Sequence, residues 1–108
     1  MIYELRVYRC LPGRLPAMQQ AFSTVTLKVF ERLGIRQVGF WTTLVGQSNA
    51  DLTYMLAWES MADREKKWAA LEADPELIAG LTTFLKDGPM LASLSSQLLA
   101  PTAFSALP

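Results

Sequence analysis

The sequence predicts an α+β fold of the ferredoxin-like kind, βαββαβ, with one four-stranded antiparallel sheet and both helices on a single face. Three observations carry this expectation. Strand-like segments occur at residues 2–9, 35–46, 52–59 and 91–99. Helical apolar spacing fills 14–33 and 61–85 between them. Only five residues, Gln47 to Asp51, all but Ala50 polar, join the two middle strands, a natural length for an antiparallel hairpin.

Ile2 to Arg9 alternates Tyr3, Leu5 and Val7 with Ile2, Glu4, Arg6 and Tyr8, which is the period of a strand. Leu11-Pro12-Gly13 ends it. Leu15, Met18, Phe22, Val25, Val29 and Leu33 then recur at three- and four-residue steps, one stripe of a helix. Pro16 fits its first turn, and Gly34 is placed for a left-handed stop. Ile35 to Gly46 reads as a long second strand, with Gly39 marking a bulge or a close backbone approach. Leu52 to Glu59 returns as the third strand. Ser60 is expected to cap a helix over Met61 to Ala73, with Asp63 completing a shortened capping box. That helix is expected to bury Met61, Trp68 and Leu71 and to turn Asp63 to Lys67 outward. Asp74-Pro75 opens a further helix through Leu85, and Asp87-Gly88-Pro89 closes it. Leu91 to Leu99 forms the fourth strand, and residues 100–108 an extended tail. Right-handed crossovers can make strands 1 and 2, and strands 3 and 4, parallel neighbours.

Residues 1–108 fit one domain. Ten Lys and Arg balance ten Asp and Glu, so no net field attracts nucleic acid or an anionic membrane. Charged residues are 19% of the chain, against about 25% in an average soluble domain. Helices on one face leave the other face of the sheet bare, and a monomer should make that face polar. Here strand three sets Leu52, Tyr54, Leu56 and Trp58 opposite Thr53, Met55, Ala57 and Glu59, and strand two sets Val38, Phe40 and Leu44 opposite Trp41 and Val45. Both faces are apolar along most of their length. A face of roughly 380 Å² is near the limit for an exposed apolar patch, so a homodimer through the sheet face is expected. No apolar segment resembles a signal peptide or a membrane span, and a cytoplasmic protein is the expectation.

Much chemistry is excluded. With no histidine and one cysteine, Cys10, the chain lacks a zinc ligand set, a haem ligand of the usual kind and a Ser-His-acid triad. Its six glycines form no phosphate-cradling loop, and no cofactor or metal is expected. Cys10, just past a strand end, is expected to be partly exposed. The polar residues of strand one are open to two readings. In one, Glu4 and Arg6 pair with groups at the dimer interface while Tyr8 packs with its hydroxyl satisfied. In the other, Arg6 and Tyr8 line a cavity and hold a small acidic or carbonyl ligand. Trp41, Tyr54 and Trp58 are likewise either core or the wall of an aromatic pocket between sheet and helices.

Several stretches resemble the NIPSNAP family: Gly13-Arg14-Leu15-Pro16, residues 34–41 (GIRQVGFW), residues 52–60 (LTYMLAWES), Arg64-Glu65-Lys66-Lys67-Trp68 before Asp74-Pro75, and the ending around Pro101-Thr102-Ala103-Phe104. The resemblance spans nearly the whole chain and implies a dimeric α/β-barrel. It carries no agreed catalytic motif. Larger animal members are associated with mitochondria and with recruiting other proteins; this chain looks like the short bacterial type, without their N-terminal extension. Two functions are therefore expected to compete. One is a dimer that binds a small molecule or a partner protein through Arg6, Tyr8, Trp41, Tyr54 and Trp58. The alternative is a cofactor-independent monooxygenase- or isomerase-like enzyme working in a cavity between sheet and helices.

Overall fold

A computed structural model describes residues 1–108. Strand β1 (Ile2–Cys10) leads into helix α1, which runs through Leu15–Ala21, a π turn at Phe22–Thr26 and Leu27–Leu33. Strands β2 (Arg36–Thr42) and β3 (Asp51–Trp58) follow, then α2 (Met61–Glu72), α3 (Pro75–Leu85) and β4 (Leu91–Leu99). The sheet order is β2-β3-β1-β4, and every neighbouring pair is antiparallel. Two layers result, one of sheet and one of helix, in a body 19 Å thick.

Strands 1 and 2, and strands 3 and 4, are not neighbours, which corrects one expectation. They run in the same direction, but each crossover passes over one intervening strand. A helix about 10 Å wide covers two strand spacings of ~4.8 Å, so skipping a strand seats it squarely on the sheet.

Local signals set the helix ends. Gly34 takes the left-handed conformation (φ 73°) that stops α1. Ser60 accepts the Asp63 N–H at 3.0 Å, while the Asp63 carboxylate reaches back to the Glu59 N–H rather than to the cap itself. Asp74 caps α3 by accepting from the Leu77 N–H, with Pro75 as its first residue. The second strand is shorter than expected, because pairing ends at Thr42. Leu44 and Val45 stand in the connecting loop, 97% and 96% exposed. The ladder skips Val38 between Gln37 and Gly39. A Cβ on Gly39 would sit 2.8 Å from the Trp41 ring, so glycine there serves both a bulge and a close approach.

The core lies between sheet and helices, around Phe22, Val29, Phe30, Tyr54, Leu56 and Trp58. Met61 was expected inside but is 53% exposed, and Cys10 is buried rather than partly exposed. The helix-free face carries Tyr3, Leu5, Val7, Met55, Ala57 and Trp41, with Ser93, Ser95 and Gln97 contributed by β4. The tail covers one end of this face: the Tyr3 hydroxyl donates to the Pro108 carbonyl at 2.6 Å, and Leu107 lies near Met55 and Leu99. Leu5, Val7 and Met55 stay half-buried, and no helix is long and apolar enough to cross a membrane.

Helix α3 approaches α1 most closely at Gly80. A Cβ there would meet Val25 Cγ1 at 2.5 Å, and a β-branched side chain has little freedom to retreat. Gly80→Ala should therefore lower stability by about 1–2 kcal/mol, despite the better helix propensity of alanine. In a Val25→Ala background the penalty should vanish. Chemical denaturation of the four variants checks this; an equal penalty in both backgrounds would refute the contact.

Candidate functional site

On β1, Ile2, Glu4, Arg6 and Tyr8 face the helices, opposite Trp58, Leu56, Tyr54 and Leu52 of β3. Two charged side chains thus enter the interior, and each needs partners there. Glu4 is fully buried and accepts five hydrogen bonds. Arg64 of α2 gives two, from Nε at 2.8 Å and Nη2 at 3.1 Å. Arg6 Nη1 gives one at 2.9 Å, Trp58 Nε1 one at 3.0 Å and Ser96 of β4 one at 2.6 Å. A carboxylate offers about four lone-pair sites, so Glu4 is saturated.

Arg6 turns its other nitrogens to two phenols. Nε donates to the Tyr54 hydroxyl at 2.7 Å and Nη2 to the Tyr8 hydroxyl at 3.0 Å, and Tyr54 donates to Tyr8 at 3.0 Å. Trp68 covers the guanidinium, with its ring centroid 4.4 Å from Cζ. Donor counting exposes a surplus. Of five guanidinium N–H groups three are used, and one phenolic hydrogen of the Tyr8–Tyr54 pair has no acceptor within the chain.

These donors border a cavity of about 510 Å³ between the sheet and helices α1, α2 and α3. Thirteen of its 17 lining residues are hydrophobic. Arg6, Tyr8 and Tyr54 form its polar end, Phe22 and Trp68 are aromatic walls, and the exposed Glu72, Leu85 and Pro89 mark its rim. A volume in the range of ligand pockets, apolar walls and a few converging polar groups make it the candidate site.

The five candidate residues divide. Arg6, Tyr8 and Tyr54 come together on the cavity. Trp58 does not line it; its indole is 1% exposed and holds Glu4. Trp41 does not line it either. Its register with Thr53 puts it on the helix-free face, 50% exposed. Glu4 and Arg6 satisfy each other within one chain, on the helix side, not at the bare face where an interface would form. Arg64 was expected to point outward; at four- and seven-residue steps from Trp68 and Leu71 it shares their inward stripe, a spacing that the charge run around it hides.

Burial by itself would push the Glu4 carboxyl up. The hydrogen bonds from Arg64, Ser96 and Arg6 outweigh it and bring the carboxyl down to about 2. Burial raises the Tyr54 phenol well above its usual range, the Tyr8 ring adding to this more than Arg6 subtracts. Burial works against the charge on Arg6, but the phenol oxygens of Tyr54 and Tyr8 and the Glu4 carboxylate keep it protonated.

A carboxyl lowered in the folded state binds its proton later than in the unfolded chain. Its contribution is therefore complete above the ordinary carboxyl range and lost as pH falls from about 4.5 toward 2. Glu4→Gln leaves two buried guanidinium contacts without a countercharge and should cost about 3–5 kcal/mol at neutral pH. Its stability should also depend less on pH across that acid window. Urea unfolding at several pH values checks both, and a wild-type acid slope in Glu4→Gln would contradict them.

The NIPSNAP family model matches residues 3–106. A NIPSNAP domain protein from Burkholderia xenovorans is similar at 27% identity, with 97% of this chain and 98% of that one covered and a TM-score of 0.84. A NIPSNAP family protein from Agrobacterium tumefaciens is 28% identical, with 100% and 94% covered and a TM-score of 0.85. A second from the same organism shares the fold at 21% identity, covering 99% and 98%, with a TM-score of 0.87. Comparison with curated proteins returns no match. With the match running over almost its full length, this chain belongs to the NIPSNAP family.

Proposed function

We propose that this protein binds a small, largely apolar organic acid in the cavity between sheet and helices. The observation that carries the reading is the charge count at the cavity's polar end: one buried carboxylate, Glu4, serves two guanidinium groups, Arg6 and Arg64. Glu72, the one acid on the cavity lining, is exposed at the rim, where water screens it. The polar end therefore offers an anion the unused N–H groups of Arg6, a free phenolic hydrogen and a positive field behind apolar walls. These groups donate; none beside them is free to take a proton, since Glu4 is saturated. Binding fits that set better than the enzyme reading, which would need a base next to the reacting carbon.

The working unit in this proposal is a homodimer joined through the helix-free face, in a cytoplasmic setting compatible with its one free, buried thiol. Half-buried Leu5, Val7 and Met55, with Trp41 half-exposed beside them, favour a second copy over a foreign protein, because the strip is continuous across β1, β3 and β2 and largely uncharged. The tail shelters the Tyr3 end and reaches Met55.

Two measurements test this. Calorimetry with 1-naphthoate should show binding, weakened about 10- to 100-fold by Arg6→Met, the worth of a hydrogen bond to a charged group. Arg64, Trp58 and Ser96 still hold Glu4 in that variant. Equal affinity in wild type and Arg6→Met, or tighter binding of neutral 1-naphthalenemethanol, would overturn the site. Light scattering should give twice the 12.0 kDa chain mass at micromolar concentration; a monomer there would remove the dimer.

A further inference from the structure

We infer that Thr26 is a second polar contact in the same cavity, so that the acid it takes carries a second oxygen function, a hydroxyl or a carbonyl, beside its carboxylate. The inference rests on the organic-acid reading and adds to it a requirement for that second group.

Thr26 lies in the π turn of α1 and lines the cavity. It is 7% exposed, yet its hydroxyl makes no hydrogen bond within the chain. The other three helical threonines behave differently. Thr24, Thr82 and Thr83 each donate to the carbonyl four residues back, at 2.7, 2.7 and 3.4 Å. For Thr26 that carbonyl belongs to Phe22, and the π turn gives it to the Leu27 N–H instead. Every fully enclosed side-chain nitrogen or oxygen of the protein has a partner. The unpartnered Thr26 hydroxyl is therefore not fully enclosed, and the space that its residue borders is the cavity.

The π turn explains how a polar residue comes to this place. Steps of four residues drift by about 40° per turn in a regular α-helix. Met18, Phe22, Thr26 and Phe30 are spaced by four, and all are buried. The wider turn at Phe22–Thr26 takes up part of the drift and keeps Thr26 on the line that faces the sheet. Phe22, one turn earlier, packs on both phenols of the polar end, at 5.7 Å from the Tyr8 ring and 5.2 Å from the Tyr54 ring. A flat molecule anchored at Arg6 and lying against Phe22 would pass Thr26. Two polar groups on opposite walls, the sheet and α1, select for two oxygens on one ligand.

The test compares 1-naphthoate with its ring-hydroxylated isomers by calorimetry on the intact protein. In wild type at least one hydroxy isomer should bind roughly 3- to 10-fold tighter than 1-naphthoate, the range of one neutral hydrogen bond. Thr26→Val, which keeps the side-chain shape, should abolish that preference, bringing the ratio of hydroxy-isomer to 1-naphthoate affinity to about one. Thr26→Ser should retain it. The inference is overturned if no hydroxy isomer gains, or if the gain survives Thr26→Val, while 1-naphthoate still binds in an Arg6-dependent way. Failure of every naphthoate to bind wild type would instead remove the organic-acid reading and this inference together.

Discussion

The structure depends on how a single buried carboxylate is satisfied. Glu4 sits in the central strand pair, and its five donors come from β1, β3, β4 and α2. That one group ties the helix layer to three of the four strands. Buried ion pairs often add little net stability, because losing water offsets the attraction. What this cluster adds is geometry. With Nη1 fixed on Glu4 and Trp68 over its face, the Arg6 guanidinium can point only toward the phenols and the cavity. The polar end is thereby held in one orientation, which in the proposed binding role would reduce the ordering cost of taking a ligand.

Aromatic rings pack along the sheet side of the cavity. Phe22 meets Tyr8 and Phe40 edge-on, Phe40 stacks on Tyr54 at 4.9 Å, and Trp68 meets Trp58 edge-on. Between the ring cluster on the sheet and the leucines of α3 a gap remains. Its floor is polar only where β1 brings Arg6 and Tyr8 inward beside Tyr54 of β3. The same alternation that buries these two leaves Tyr3, Leu5 and Val7 on the opposite face, so the polar site and the apolar outer strip share one strand.

Most of the architecture was legible in the residues. Alternation, β-branched and aromatic content and the breaks between segments located the four strands, Leu91 to Leu99 to the residue, and Gly34, Ser60 and Asp74-Pro75 marked helix boundaries because each has a local mechanism. Failures came where longer-range contacts decide. Leu44 and Val45 look like strand residues, but no partner strand extends that far, and they stand in solvent. Trp41 belongs to the outer face because its neighbour Phe40 is the one that packs inside, stacked on Tyr54. Of the site, Arg6, Tyr8 and Tyr54 could be nominated from the polar positions of apolar strands. Arg64 was masked by the charged run in which it sits, and Thr26 by a π turn that leaves no mark on hydropathy.

The claim at the centre of this account is that the Glu4–Arg6–Arg64 cluster makes the cavity's inner end an anion receptor. A crystal structure of the protein soaked with 1-naphthoate tests it most directly. The account predicts density for the ring between Phe22 and Trp68, with the carboxylate oxygens in hydrogen-bond reach of Arg6 and of one of the two phenols. The same molecule ordered on the helix-free face, or in the cavity with its carboxylate turned to the rim, would contradict it.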